Sequence, residues 1–276
     1  MAAASSALIA ADVGNTRVKL GYFDGTLDAS GLPVCGSRFA ISVNACADLG
    51  PVKRWLDETG AGSEPRVVVS DVNPAVTRDL TRAWKEQLGT KPEQIRRPDP
   101  QILENRTDHP ARTGPDRLFN AVAANVLRPK AKPAIIIDAG TATTIDLVAA
   151  DGAFEGGAIL PGFALSAQAL QSYTALLPLV ASDDVTDSRP NPLGRNTRDA
   201  IRSGLYWGGV GAVIELVRRI SIELDDQPAI YLTGGAAPRL VPYVAQARHL
   251  PTFALQGMVL TSRRSAGTRE ESNCGD

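Results

Sequence analysis

Ile135-Ile136-Ile137-Asp138-Ala139-Gly140-Thr141-Ala142-Thr143-Thr144-Ile145-Asp146 runs from an apolar β-branched segment into an aspartate, a tight Gly-Thr turn and a second β-branched segment. The pattern predicts a β-hairpin with its polar residues gathered at the tip. An aspartate at the end of a buried strand is poorly placed for stability, because its charge must be solvated or paired. The small residues after it let backbone N–H groups approach a ligand closely, as phosphate-binding turns do. A single hairpin of this kind reads as an aspartate capping its own turn. The plan recurs, however, in Ala10-Ala11-Asp12-Val13-Gly14-Asn15-Thr16-Arg17-Val18-Lys19-Leu20: apolar run, Asp, one residue, Gly, polar tip, returning strand. Two copies predict two related halves facing one ligand.

The 276 residues suffice for two domains of roughly 130 residues each, large enough to build cores without staples. Hydrophobic content of 43% and charged content of 21% describe an ordinary globular chain. A formal net charge of −1 gives no electrostatic footprint for nucleic acid or an anionic membrane. Cys35, Cys46 and Cys274 are too few and too scattered for a disulfide framework or a zinc site, so a reducing cytoplasm is the simplest compartment. The start Met1 to Ile9 lacks a basic n-region, and no apolar stretch reaches the ~20 residues of a membrane span.

Working outward, the first hairpin occupies Ala7 to Asp12 and Arg17 to Phe23, with a further strand near Arg38–Ile41. Ala47 to Glu58 reads as a helix, Arg66 to Ser70 as a buried parallel-type strand, and Asn73 to about Leu88 as a helix opened by proline. Gly89 to Pro115 holds prolines at 92, 98, 100, 110 and 115 without periodicity, and long irregular segments in compact domains are often functional. It ends in Gly114-Pro115-Asp116-Arg117, ahead of an alanine-rich helix to Leu127; taken alone, Asp116 suits a first-turn acid favoured by the helix dipole. Arg128 to Pro133 is a polar, proline-punctuated boundary. Beyond the central hairpin come a strand into Pro161-Gly162, a helix over about Phe163 to Leu176, a polar loop over 183–196 and a helix from Asn196-Thr197 to about Leu224. A strand Ala229 to Thr233 then enters Gly234-Gly235, followed by a helix near Pro238 to Gln246 and a polar tail expected to be disordered from Thr261. The expected domains are 1–130 and 131–260, with the tail 261–276.

Asp12-Val13-Gly14-Asn15-Thr16, Asp138-Ala139-Gly140-Thr141 and Leu232-Thr233-Gly234-Gly235 resemble the two phosphate motifs and the adenosine motif of the acetate and sugar kinase/Hsp70/actin superfamily. Within it, Gly114-Pro115-Asp116-Arg117, Gly157-Ala158-Ile159-Leu160-Pro161-Gly162, Thr174-Ala175-Leu176-Leu177-Pro178 and Asn196-Thr197 resemble type III pantothenate kinase, in order from about Leu8 to Leu260. The resemblance implies an α/β fold of two RNase H-like domains with mixed five-stranded sheets and an ATP cleft between them. It implies that Asp12, Val13, Gly14, Asn15, Thr16, Arg17, Val18 and Lys19 form the first phosphate loop, with Asp12 helping to hold Mg²⁺, partly through water. Thr141 would bind phosphate, Gly234 and Gly235 would leave room for adenosine, and Asp138 would belong to a K⁺ or NH₄⁺ site. Asp116 maps to the general base acting on the primary hydroxyl of pantothenate, with Gly114, Pro115, Arg117 and Thr197 around that substrate. Phosphoryl transfer is mostly positioning and charge stabilisation, so one carboxylate within reach of the hydroxyl is enough. The resemblance also implies a homodimer. The helix Asn196 to Leu224 is expected near its contact, because Leu205, Tyr206, Trp207, Val210 and Val213 accompany four glycines; burial within its own domain explains the glycines equally well.

Two positions depart from the family pattern: Thr107 stands where a tyrosine is usual, and Thr113 where an aliphatic residue is usual. His109 reads as a solvated loop residue. The leading function is ATP-dependent synthesis of 4′-phosphopantothenate, the first step of coenzyme A synthesis. The alternatives are a non-catalytic accessory or regulatory protein on the same fold and a superfamily kinase with another acceptor. No basic helix speaks for the first, and the paired Gly-Pro-Asp-Arg and Gly-Ala-Ile-Leu-Pro-Gly motifs argue against the second.

Overall fold

A computed structural model describes residues 7–62, 65–181 and 189–273. The described residues divide into two compact units: those up to Leu127 together with those from Thr252, and Arg128–Pro251. In unit 1, β1 (Leu8–Val13), β2 (Arg17–Phe23), β3 (Ser37–Ser42), β4 (Arg66–Asp71) and β5 (Glu93–Gln94) form a sheet of order β3-β2-β1-β4-β5. β1 is antiparallel to β2 and parallel to β4, and all six of its residues are buried, as expected of a central strand covered on both faces. One face carries Ile9, Ala11 and Val13 against α1 (Gly50–Thr59) and α2 (Pro74–Leu88). Helix α2 opens on Asn73, whose side chain accepts from the Val76 N–H, and closes on Gly89 in the left-handed conformation.

The other face carries Leu8, Ala10 and Val68 against Phe119 of α3 (Pro115–Leu127) and against Leu255, Met258 and Val259 of the C-terminal helix. Residues 255, 258 and 259 share one helical face, and each such side chain contributes about 1.5–3 kcal/mol on full burial. The two helices meet at Gly257, where an added Cβ would lie 1.9 Å from the Phe119 carbonyl oxygen.

Unit 2 repeats the plan. Strands β6 (Ala134–Ala139), β7 (Ala142–Val148), β8 (Phe154–Pro161), β9 (Ala229–Thr233) and β10 (Arg248–His249) are ordered β8-β7-β6-β9-β10. β6 is antiparallel to β7 and parallel to β9, so strand order and senses match unit 1 throughout. Ile135, Ile137 and Ala139 pack with α4 (Phe163–Ser172), α5 (Thr197–Ile222) and α6 (Ala237–Leu240). The fold is therefore α/β with two five-stranded mixed sheets of RNase H-like order.

Several elements differ from expectation. The stretch from Thr261 is not an unstructured tail: it continues the C-terminal helix, α7 (Phe253–Asn273), which belongs to unit 1 and not to the second half. Thr261 and Ser262 are buried, and the Thr261 hydroxyl donates to the Gly257 carbonyl at 2.8 Å, so the helix itself satisfies a polar group. Helix α4 stops at Ser172, leaving Leu176 92% exposed. Helix α6 is one turn long, and the two-residue strands β5 and β10 carry too little pattern to predict. Of the polar loop, 182–188 lies outside the described residues, as do 1–6, 63–64 and 274–276. No described helix is long and apolar enough to cross a membrane.

Candidate functional site

In unit 1 the β1–β2 turn is closed by the Gly14 N–H, which donates to the Arg17 carbonyl at 3.0 Å. Asn15, Thr16 and Arg17 are thereby left exposed at the tip, while Val13 and Val18 anchor it in the core. Asp12 pairs in register with Lys19 of β2 and Ser70 of β4. Its carboxylate lies 3.8 Å from the Lys19 ammonium, and the residue is only 7% exposed. That separation makes a charge pair longer than a normal hydrogen bond, with the lysine half-exposed. Strand alternation puts Asp12 on the same sheet face as Leu8 and Ala10, the face covered by α3.

The first turn of α3 supplies the second carboxylate. Gly114 accepts the Leu118 N–H at 3.4 Å, which starts the helix, and Pro115 sets the fixed φ of its first residue. Asp116 Oδ1 accepts from the Arg117 N–H at 3.0 Å. A Cβ on Gly114 would lie 2.6 Å from that same oxygen, so only glycine lets the carboxylate sit against the turn. Asp116 and Arg117 are both partly exposed, on the Asp12 side of the unit 1 sheet.

In unit 2 the hairpin tip is held from two sides. The Gly162 N–H donates to the Thr141 carbonyl at 3.0 Å, and the Ala236 N–H to the Ala139 carbonyl at 2.9 Å. Gly234 has φ +92°, and a Cβ there would lie 2.5 Å from both the Ala139 carbonyl oxygen and Asp138 Oδ1. The structure thus joins three separated stretches of sequence: Asp138–Thr141, the Pro161-Gly162 turn and the Gly234-Gly235 turn. Thr141 is exposed, and a Cβ on Gly235 would meet nothing within 4 Å. Asp138 has Thr144 and Thr233 as its cross-strand neighbours. Thr197 stands at the exposed first residue of α5, capped by Asn196, and so belongs to unit 2 whereas Arg117 belongs to unit 1.

Among the described residues, no three His, Cys, Asp or Glu side chains cluster as a metal cage. A lone carboxylate such as Asp12 could still help to hold Mg²⁺, which keeps several waters and binds through one or two carboxylates plus substrate phosphates. The Gly234 backbone packs directly against Ala139 and Asp138 Oδ1, which fixes where that carboxylate lies. Burial pushes the Cys35 and Cys46 thiols up, away from the reactive thiolate form. His109 is exposed at the start of a short turn, Pro110–Arg112. Sequence reasoning passed over Asp146, 1% exposed on β7, whose Oδ2 accepts from the Thr144 hydroxyl at 3.0 Å. The Thr144-x-Asp146 alternation was the available signal.

A family model described as type III pantothenate kinase matches residues 8–219. A type III pantothenate kinase of Rubrobacter xylanophilus is 38% identical over 262 residues, covering 91% of this chain and 95% of the relative. One of Dehalococcoides mccartyi is 37% identical over 236 residues, covering 84% and 88%. Among solved structures, the activator of the 2-hydroxyisocaproyl-CoA dehydratase from Clostridium difficile with bound ADPNP superposes with a TM-score of 0.54 at 14% identity. That match covers 96% of this chain and 97% of the other, and shows a shared fold.

Proposed function

The chain belongs to the type III pantothenate kinase family, and from that premise we propose how its residues divide the phosphorylation of pantothenate to 4′-phosphopantothenate, the opening step of coenzyme A synthesis. The family match over residues 8–219 carries the activity, and ATP is the phosphoryl donor. Asp116 takes the proton from the primary hydroxyl of pantothenate as the γ-phosphoryl group is transferred. Its support is placement: a partly exposed carboxylate at a helix start, on the same face of the sheet as Asp12. Arg117, with five donors in a rigid fork, binds the pantothenate carboxylate, and Thr197 is assigned to the same substrate.

The exposed tip Gly14-Asn15-Thr16 and Lys19 contact the ATP phosphates, with Thr141 contributing from the second hairpin. Asp12 would hold Mg²⁺, at least partly through water, and the ion would supply charge neutralisation at the phosphates. Asp138 would hold K⁺ or NH₄⁺, and the open side of Gly235 leaves room for the adenosine. We assign the enzyme to the cytoplasm and to a homodimer. Tyr206, Val210 and Val213 are buried in their own unit and cannot form the dimer contact. The support comes instead from Gly204, Gly208 and Gly211, whose outer sides meet nothing within 4 Å. Gly204 and Gly208 also line an apolar cavity of about 240 Å³ between α4 and α5.

The test is an ATP-dependent assay that follows 4′-phosphopantothenate directly, beside a panel of other primary alcohols. Preference for pantothenate, lost in Asp116→Asn, is expected. Transfer to another alcohol with pantothenate inert would overturn the acceptor assignment.

A further inference from the structure

The irregular segment that precedes α3 is organised by three side chains. The Asn105 side-chain amide has a defined orientation, because the Thr107 backbone N–H, which can only donate, points at Oδ1 at 3.1 Å. That leaves Nδ2 as the atom that donates to Thr113 Oγ1 at 3.1 Å. The Thr107 hydroxyl spends its proton on Asn105 Oδ1 at 2.8 Å. In the 3.1 Å contact between Thr107 Oγ1 and Thr113 Oγ1, the donor is therefore Thr113. The result is a closed ring running in one sense, Asn105 to Thr113 to Thr107 to Asn105, in which each side chain both donates and accepts. Such chains polarise one another and hold their members more tightly than isolated pairs do.

The ring abuts the reacting end of unit 1. Thr113, 6% exposed, is followed only by Gly114 and Pro115 before Asp116. Proline fixes its own φ, but glycine is the most permissive residue in the chain, so Gly114 is a hinge unless the residue before it is held. The turn just upstream is fixed as well: the Arg97 guanidinium donates to the Pro110 and Ala111 carbonyls, and Asn105 Nδ2 approaches the Pro110 carbonyl at 3.4 Å. Thr107 and Thr113, six residues apart in the chain, are thus bonded to each other directly.

We propose that Asn105, Thr107 and Thr113 are positioning residues whose directed hydrogen-bond ring fixes the start of α3 and aims the Asp116 carboxylate at the acceptor hydroxyl. The proposal rests on the assignment of Asp116 as general base. Thr113→Val removes the hydroxyl at nearly constant shape, whereas Thr113→Ser keeps it. The valine variant is expected to lose about 10- to 100-fold in kcat with the KM for ATP unchanged, because small misplacements of a reacting group cost that much. The serine variant is expected to stay within about twofold of wild type. In an Asp116→Asn background, Thr113→Val is expected to have no further effect on the residual rate, since nothing is left to aim. Should Thr113→Val fail to fold, Thr107→Val breaks the same ring from a partly exposed position, with Thr107→Ser as its control. The proposal is overturned by a valine variant within about twofold of wild-type kcat, by a serine variant as impaired as the valine one, or by a full loss persisting without the Asp116 carboxylate. Wild-type turnover in Asp116→Asn alone would instead overturn the general-base assignment, so the two failures are distinguishable.

Discussion

Units 1 and 2 have the same strand order and the same strand senses, yet the aspartate at the end of each first strand meets different neighbours. In unit 1 the cross-strand partner of Asp12 is Lys19, in ion-pair range at 3.8 Å. In unit 2 the cross-strand partner of Asp138 is Thr144, and its oxygen instead converges with a carbonyl on the missing side chain of Gly234. One topology has thus been given two surroundings: a carboxylate in ion-pair range of a lysine, and a carboxylate packed against the backbone of a glycine turn. Topology fixes where an aspartate emerges, and the residue across the strand decides what it can hold.

Four measurements test that division. The largest effect is expected for Asp116→Asn in unit 1, where loss of a general base lowers kcat about 10²–10⁴-fold while folding and ATP affinity stay close to wild type. Near-normal turnover would return Asp116 to the role of a helix-start acid. Gly257→Ala comes next: its Cβ would sit 1.9 Å from the Phe119 carbonyl, and the overpacking should cost about 3 kcal/mol. Denaturant titration should show that loss in unit 1, and an unchanged midpoint would mean that α3 and α7 are free to part.

Asp138→Ala should raise the apparent KM for ATP about tenfold or more, equivalent to about 1.4 kcal/mol, and abolish the difference between K⁺ and Na⁺ buffers. Equal wild-type rates in the two salts would remove the distinction between the hairpins. The smallest effect is expected at Tyr206 in unit 2, whose hydroxyl donates to Tyr243 at 3.3 Å. Burial, then the bond to Tyr243, pushes its pKa up to about 12. A group whose folded pKa is raised contributes stability fully below its unfolded value, near 10, and loses that contribution as pH rises through 12. Tyr206→Phe should lower stability by about 1 kcal/mol at neutral pH, and the deficit should shrink between pH 10 and 12. A deficit independent of pH across that window would assign it to packing alone.

Much of this was legible because the informative residues are local. Ile135–Asp146 and Ala10–Leu20 encode hairpins through period-two burial and turn chemistry, and both formed at those positions. The start of α3 was legible through Gly114-Pro115 and the first-turn acid Asp116. What escaped was long-range. The buried apolar residues of α7, Phe253, Ala254, Leu255, Met258 and Val259, fill only its first turns before polar residues take over, and it packs on a partner more than 130 positions earlier in the chain, at Phe119. The two-residue strands β5 and β10 gain their order from β4 and β9, not from their own side chains. The Asn105–Thr107–Thr113 ring eluded reading because polar residues in a proline-rich segment look solvated until a fold closes them on one another.

The membership of α7 bears on how the protein is born. Unit 2 is one uninterrupted stretch, whereas unit 1 needs residues from both ends of the chain. During synthesis, Arg128–Pro251 leaves the ribosome with all its strands and can fold as soon as it emerges. The N-terminal sheet, though made first, has the face of Leu8, Ala10 and Val68 covered only in part, by Phe119, until Leu255, Met258 and Val259 arrive. Nascent chains halted near Pro251 should therefore hold a closed second half and an open first half, with the open half recruiting chaperones. The half that begins the chain is the last to be finished.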